Sequence, residues 1–378
     1  MVVERPAFTI GIEEEYLLVD PETRDLARDP GPAVMDECSA ILGSQVSPEF
    51  LKAQVEVGTR VSSTVGEAGD DLRRLRTALF EVVDRHGLAL IAASTHPFAD
   101  WADQQVTERD RYLLLAKDLQ VVVRRLVICG MHVHVGIEDP EVRIDLMNQV
   151  SYFLPHLLAL STSSPFWHGM ESGLKSYRMS VFRSLPRTGI PEHFSSWAEY
   201  QRHVDALVKP GLIEDATKLW WDVRPSARYP TLEMRIPDMC TRLEDGITIA
   251  ALYQSIMAML FRRRSHNQRW RTYATMLVAE NVWRAQRYGV EGSLMDFGRG
   301  ELVPYRDLLD EIIELVEEDA RELGCFAEVE RAREIVDGGT SADRQLKTYR
   351  DAVAVGSAEH EALVAVVDEL ITDTRSGM

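Results

Sequence analysis

The stretch Phe8–Val19, FTIGIEEEYLLV, sets three consecutive glutamates in the middle of an otherwise apolar run. Such a run reads as a β-strand, and strand side chains alternate between faces. Ile10, Ile12, Tyr16 and Leu18 therefore share one face. Glu13 and Glu15 point the other way, about 7 Å apart along the strand. Two carboxylates on one face of an apolar strand repel each other, and burying them is costly without a cation. A hard divalent ion such as Mg²⁺ is the usual compensator. Glu14 is expected in the opposite, apolar layer or at its rim, with no role that the sequence assigns.

Three further segments repeat this anomaly. Gln54-Val-Glu56 places a Gln and a Glu on one strand face, and Met131-His-Val-His-Val135 places His132 and His134 together. Thr231-Leu-Glu-Met-Arg-Ile-Pro237 does the same for Glu233 and Arg235. Each motif alone has a plain reading: ExE as a solvated face, HxH as a hydrogen-bonded pair, ExR as an in-strand ion pair. Four in one chain, each within an apolar strand, favour one shared site. If the strands are neighbours in an antiparallel sheet, that sheet has a dry face and a charged concave face. Carboxylates with neutral imidazole suit Mg²⁺ or Mn²⁺ better than structural zinc. An arginine among them points to a phosphate or carboxylate ligand. Arg224 at a strand end, and Arg178 and Arg183 in a loop, are further candidates for an anionic ligand, the alternative for each being a surface arginine. No GxxxxGK[ST], GxGxxG or GxSxG occurs. A bound nucleotide would then be held through metals and arginines rather than a glycine loop.

The rest of the chain frames this sheet as an α+β layer up to about residue 240 and a helical part over about 241–378, fused in a single domain, 1–378. Helices are expected at Pro32–Leu42, Gly66–His86, Glu108–Leu126 and Pro140–Ser161, and strands at Leu88–Ala93, Val127–Ile137, Trp220–Arg224 and Thr231–Pro237. The segment PETRDLARD reads as a turn into a return strand. Ser163–Pro191, rich in Gly, Ser and Pro, reads as a long functional loop and a candidate lid. Beyond Leu243 helices are expected at Gly246–Arg264, Asn267–Tyr288, Tyr305–Leu323, Phe326–Val336, Ala342–Val355 and Ala358–Thr372. A net charge of −18, from 60 acidic and 42 basic residues, argues against nucleic acid or an anionic membrane as partner. Four scattered cysteines form no CxxC pair, and MVVERPAFTIG has no apolar signal core. Both fit a cytoplasmic protein.

Taken in order, Gly11-Ile-Glu-Glu-Glu-Tyr16, Gln54-Val-Glu56, Gly130-Met-His-Val-His134, Trp221-Asp-Val-Arg-Pro225 and Glu233-Met-Arg-Ile-Pro-Asp238 resemble the bacterial type 2 glutamate–cysteine ligase family, its YbdK-like carboxylate–amine ligases in particular. The resemblance spans at least Phe8–Asp238. It implies a glutamine-synthetase-like core, a curved antiparallel sheet with helices on its outer face, and ATP with Mg²⁺ or Mn²⁺ on the concave face. It implies an ADP-forming ligase that joins a carboxylate, the γ-carboxylate of L-glutamate, to cysteine or another amine. On this resemblance Glu13 and Glu15 divide between two metal sites, and Glu56 sits at the metal nearer the amine. His132 and Glu233 serve the metal on the ATP phosphates, with Glu49 as a further ligand. Arg224 and Arg235 stabilise the transferring phosphoryl group. Tyr177 and Arg178 touch the acid substrate, while His134 and Gln54 bind substrate or ATP. A homodimer is also implied. A guanidino-kinase-type phosphotransferase and a non-catalytic nucleotide or metal sensor are the alternatives. One departure stands out: where the family pattern leads one to expect glycine before the ExR motif, this chain has Arg228-Tyr-Pro-Thr231.

Overall fold

A computed structural model describes residues 4–377; the first three residues of the N-terminal stretch read above for a leader, and Met378, lie outside them. The charged segments come together in one seven-stranded sheet. Its strands are β1 (Ile10–Val19), β2 (Val46–Pro48), β3 (Gln54–Gly58), β4 (Ala89–Ile91), β5 (Met131–Gly136), β6 (Val223–Pro225) and β7 (Thr231–Met234). The order is β6-β7-β5-β1-β3-β2, with β4 alongside the far end of β1, and every pairing is antiparallel. β1 is the longest strand, so it can pair β5 over Ile10–Glu14 and β4 over Leu17–Val19 on one side while pairing β3 on the other.

Helices cover the face that holds Ile10, Ile12, Tyr16 and Leu18. The helix Val65–Arg85 starts at Thr64, whose hydroxyl accepts from the Glu67 amide (3.2 Å), and buries Leu72, Leu75, Leu79, Val82 and Val83, the stripe expected of an amphipathic helix. Beside it runs Leu243–Ser265, buried on all sides from Ile247 to Phe261. This helix is apolar all round because the sheet lies on one side of it and the C-terminal helices, including Tyr305–Glu322, on the other. Gly246 allows its close approach: a Cβ there would lie 3.2 Å from the Met131 sulfur and 3.4 Å from Glu14 Oε1. One contiguous apolar core runs from Phe8 to Leu370.

Several expectations needed correction. The helix expected over Glu108–Leu126 breaks at Gln120, which takes φ 51°, into Asp110–Leu119 and Val121–Arg124. Pro140–Ser161 breaks after Val150 and restarts at Leu154, because Pro155 lacks an N–H and is tolerated only in a first turn. The helix expected from Asn267 begins at Thr275, since Trp270 and Tyr273 turn into an aromatic cluster around Tyr152. Phe326–Val336 is two helices, Phe326–Glu330 and Ala332–Gly338. The return strand after Pro21 is only an isolated Val19–Leu26 bridge. A hairpin, Ser293–Asp296 with Glu301–Pro304, was not anticipated. Ser163–Pro191 is no free loop: it holds a short hairpin at Phe166–Glu171 and the helix Tyr177–Phe182. Ser163, Ser164 and Ser176 are buried against Asp238, whose carboxylate takes the Ser163 amide (3.0 Å) and both other hydroxyls (2.7 Å each). Small polar residues here serve an internal carboxylate.

Candidate active site

Sheet register brings the polar pairs into adjacency on the uncovered face. Glu13 stands opposite His132, Glu15 opposite Glu56, and Glu233 between His134 and Arg224. Directly opposed side chains in an antiparallel pair start only about 5 Å apart. Three donor clusters result, running across the sheet: Glu13–His134–Glu233, Glu13–Glu56–His132 and Glu15–Glu49–Glu56. Within each, the ligand atoms lie within 4.8 Å of one another. Glu13 belongs to the first two and Glu56 to the last two. Glu49 joins from the bend after β2, its carboxylate accepting from the Phe50 amide at 3.0 Å.

The electrostatics differ from end to end. Burial, then the neighbouring Glu56, pushes the Glu15 carboxyl up to about 7. Burial, then Glu49 and Glu13, pushes Glu56 up to about 8. Glu13 is also buried, yet hydrogen bonding to His132 and His134 outweighs burial and holds it well below the ordinary carboxylate range; its Oε2 lies 3.1 Å from His132 Nδ1. Glu233 is also held far below that range, because Arg235 and Arg224 outweigh its desolvation. Arg224 grips it through Nε (2.9 Å) and Nη2 (3.2 Å), and Arg235 donates to it through Nη1. Burial and the Arg235 charge push His132 down to about 4, leaving a neutral imidazole. His134 Nδ1 bonds the Thr231 hydroxyl at 2.9 Å, and its buried Nε2 faces Glu13 Oε1 at 3.5 Å. Buried carboxylates crowded beside imidazole nitrogens, their ligand atoms within 4.8 Å of one another, are a donor set that fits a divalent cation.

Most of the expected site residues line one cleft of about 500 Å³: Glu13, Glu15, Glu49, Gln54, Glu56, His132, His134, Arg178, Arg224, Glu233 and Arg235. Tyr177 is not among them; its ring stacks on Trp167, centroids 5.2 Å apart. Gln54 is buried and spends its amide on the Ile128 carbonyl (2.8 Å). Arg178 is buried too, donating to the Arg235 and Ile236 carbonyls at 3.0 Å each, so it secures the strand end that carries Arg235. Arg224 gives its remaining Nη1 bonds to the Thr217 and Leu219 carbonyls (2.9 and 2.7 Å). A larger cavity, about 840 Å³, lies beside Lys175 and Asp343 and contains none of the three clusters.

Two supports were not anticipated. Glu14 turns into the helix-covered layer and meets Arg76, both fully buried. Arg76 donates from Nε (2.8 Å) and Nη2 (2.7 Å) to the two carboxylate oxygens, and the Tyr16 hydroxyl also donates to Glu14. The signal was present: Arg76 falls on the apolar stripe of its helix, four residues after Leu72 and three before Leu79. Asp238, at the end of the ExR motif, is the other, packed under the site among its serines.

A sheet clad with helices on one face, with carboxylates, imidazoles and arginines across the other, defines the glutamine-synthetase-like class of α+β catalytic cores. Two solved structures share the fold. A glutamate–cysteine ligase from Francisella tularensis, crystallised with AMP, superposes with a TM-score of 0.68 at 13% identity over 99% of this chain and 90% of that one. A bifunctional glutathione synthetase from Pasteurella multocida gives a TM-score of 0.64 at 15% identity over 97% of this chain and 52% of the other. The chain belongs to glutamate-cysteine ligase family 2, whose sequence profile matches residues 9–369. Relatives provisionally named glutamate–cysteine ligase 2 include one from Rhodospirillum rubrum, 62% identical over 376 residues (98% of this chain, 97% of that one). Another, from a Jannaschia species, is 55% identical over 366 residues (97% and 96%). Among the described residues no helix is long and apolar enough to cross a membrane.

Proposed function

We propose that this chain is an ATP-dependent carboxylate–amine ligase. It transfers the γ-phosphoryl group of ATP to a carboxylate, the γ-carboxylate of L-glutamate, releasing ADP; cysteine or another amine then attacks the acyl carbon, and phosphate leaves as the amide forms. The observation that carries this reading is the row of three clusters with shared ligands, all carboxylate at one end and flanked by Arg224 and Arg235 at the other. Glu13, His134 and Glu233 would hold one Mg²⁺ or Mn²⁺, and the other two clusters have the ligands for two more. Bound there, the ions supply the positive charge that lets an anionic carboxylate approach an anionic phosphate.

The chain's own residues do the rest. Arg235 is buried, with an unpartnered Nε, so it keeps a donor for a phosphoryl oxygen. Arg224, committed to Glu233 and two carbonyls, positions that carboxylate and adds charge nearby. Neutral His132 is available as a ligand without first losing a proton. The dry, helix-backed sheet holds these groups before substrate arrives, which is where electrostatic catalysis gains most. The reading extends to a single domain over 1–378 acting as a cytoplasmic homodimer, which cell fractionation and gel filtration test. All four cysteines are buried, and burial pushes the Cys129 thiol well up; both weigh against a guanidino-kinase-type reaction with a reactive thiolate. Mass spectrometry of products from ATP, glutamate and a mixed amine pool decides. ADP and an amide in equal amounts are expected. A phosphorylated product without amide would favour the phosphotransferase, and no ADP release at all would favour the sensor.

A further inference from the structure

The turn Ser226–Thr231 forms part of the cleft wall at its arginine-rich end. It is held from several sides. The Ser226 amide donates to the Thr231 carbonyl (3.0 Å), the Ile137 amide to the Pro230 carbonyl (2.8 Å), and the Arg228 and Tyr229 amides approach the Ser226 hydroxyl (3.3 Å each). Pro230 restricts Tyr229 to extended backbone, and the Thr231 amide closes back on the Tyr229 carbonyl at 2.8 Å. Thr231 in turn bonds His134. Yet Tyr229, at the tip of this fixed turn, is 57% exposed. Among the described residues its one ring contact is edge-on to His134, centroids 6.3 Å apart and planes at 86°. An aromatic ring on a well-bonded turn, left uncovered beside His134 of a donor cluster, is a surface suited to a flat partner.

We propose that Tyr229 is the stacking platform for the purine base of the nucleotide. The inference rests on the ligase reading, in which ATP is a substrate. The triphosphate belongs at the Glu13–His134–Glu233 end, where Arg224 and Arg235 lie, rather than at the all-carboxylate Glu15–Glu49–Glu56 end. A nucleotide whose phosphates occupy that end extends its base toward the cleft rim, where Tyr229 stands. Proline in place of the expected glycine stiffens this turn, so little ordering is left for the ligand to impose.

The test is calorimetric titration of the full chain in Mg²⁺ with ATP and, separately, with inorganic tripolyphosphate, which has the phosphates and no base. Tyr229→Ala should weaken ATP binding by about 10- to 100-fold, the range for loss of one stacked base, and leave tripolyphosphate unchanged. Tyr229→Trp and Tyr229→Phe should keep near-native ATP affinity, because the ring and not the hydroxyl is required. Equal weakening of both probes by Tyr229→Ala would overturn the proposal, since the ring would then only prop the turn. Unchanged ATP affinity would also overturn it while leaving the ligase reading in place. A wild-type chain that binds neither probe would overturn both.

Discussion

Arg76→Met tests how the central strand is held. The substitution keeps most of the side-chain volume and removes the guanidinium. It leaves the Glu14 carboxylate with only the Tyr16 hydroxyl, and strips the Cys240 and Thr241 carbonyls of donors at 3.1 and 2.9 Å. Glu14 and Arg76 have no solvent exposure, so water cannot take the lost partner's place. Breaking a buried pair from one side costs ~3–5 kcal/mol. Adding Glu14→Gln removes the orphaned charge and keeps an oxygen for Tyr16. The remaining deficit is then mainly two unmatched carbonyls, ~1–3 kcal/mol each at most. The double variant should therefore be more stable than Arg76→Met alone, by about 1 kcal/mol or more, although it carries one more change. Urea unfolding of wild type, both single variants and the double at one pH closes the cycle. Additive losses, or an Arg76→Met cost below ~1 kcal/mol, would refute the assignment of this pair as the internal anchor of the strand between Glu13 and Glu15.

Other outcomes follow from the same geometry. Glu13→Gln removes the carboxylate shared by two clusters; ADP release should fall well beyond the ~10–100-fold cost of losing a supporting residue at a metal site, with circular dichroism unchanged, and near-native turnover would exclude the site. Arg235→Lys should lower turnover by ~100-fold, because a point charge cannot replace a planar fork; activity within a few-fold of wild type would count against it. His96 and His156 are pushed down to about 4 from an ordinary 6.5, chiefly by burial. For His96 the structure shows why: Nδ1 accepts from the Phe98 and Ala99 amides while Nε2 faces the Arg24 carbonyl. The folded state thus binds these protons less readily than the unfolded chain. The stability they hold is complete above pH 6.5 and lost as pH falls toward 4, up to ~3 kcal/mol each. Glu15 and Glu56, raised to about 7 and 8, shift stability the opposite way over this range, so the test is a comparison: from pH 7.5 to 5 the urea midpoint of His156→Phe should rise relative to that of wild type, and equal pH dependence in the two would contradict it.

Alternation along a strand is a local property, so the placement of Glu13 and Glu15 on one face, of His132 with His134 and of Glu233 with Arg235 was legible from the chain alone. So were the apolar stripe of Val65–Arg85 and the predominance of helix after Leu243. Which strand lies beside which is a matter of pairing across distances in sequence, and only the fold decided it. Register made Glu13 and Glu56 shared members of the clusters and put His134 with Glu233. It also turned Arg224 from a free cation into the clamp on that glutamate. Glu49 reached the site from a bend, where no periodicity speaks for it. Tyr177 is not among the residues lining the cleft, its ring stacked on Trp167. Ser163–Pro191 looked like a loop by composition, yet a buried carboxylate, Asp238, organises it from within. The middle glutamate of the opening motif shows the division most clearly. Its face follows from a period of two, but its partner, Arg76, lies 62 residues on. A buried charge takes its partner from whatever the packed layer brings within reach, and that is set by tertiary structure.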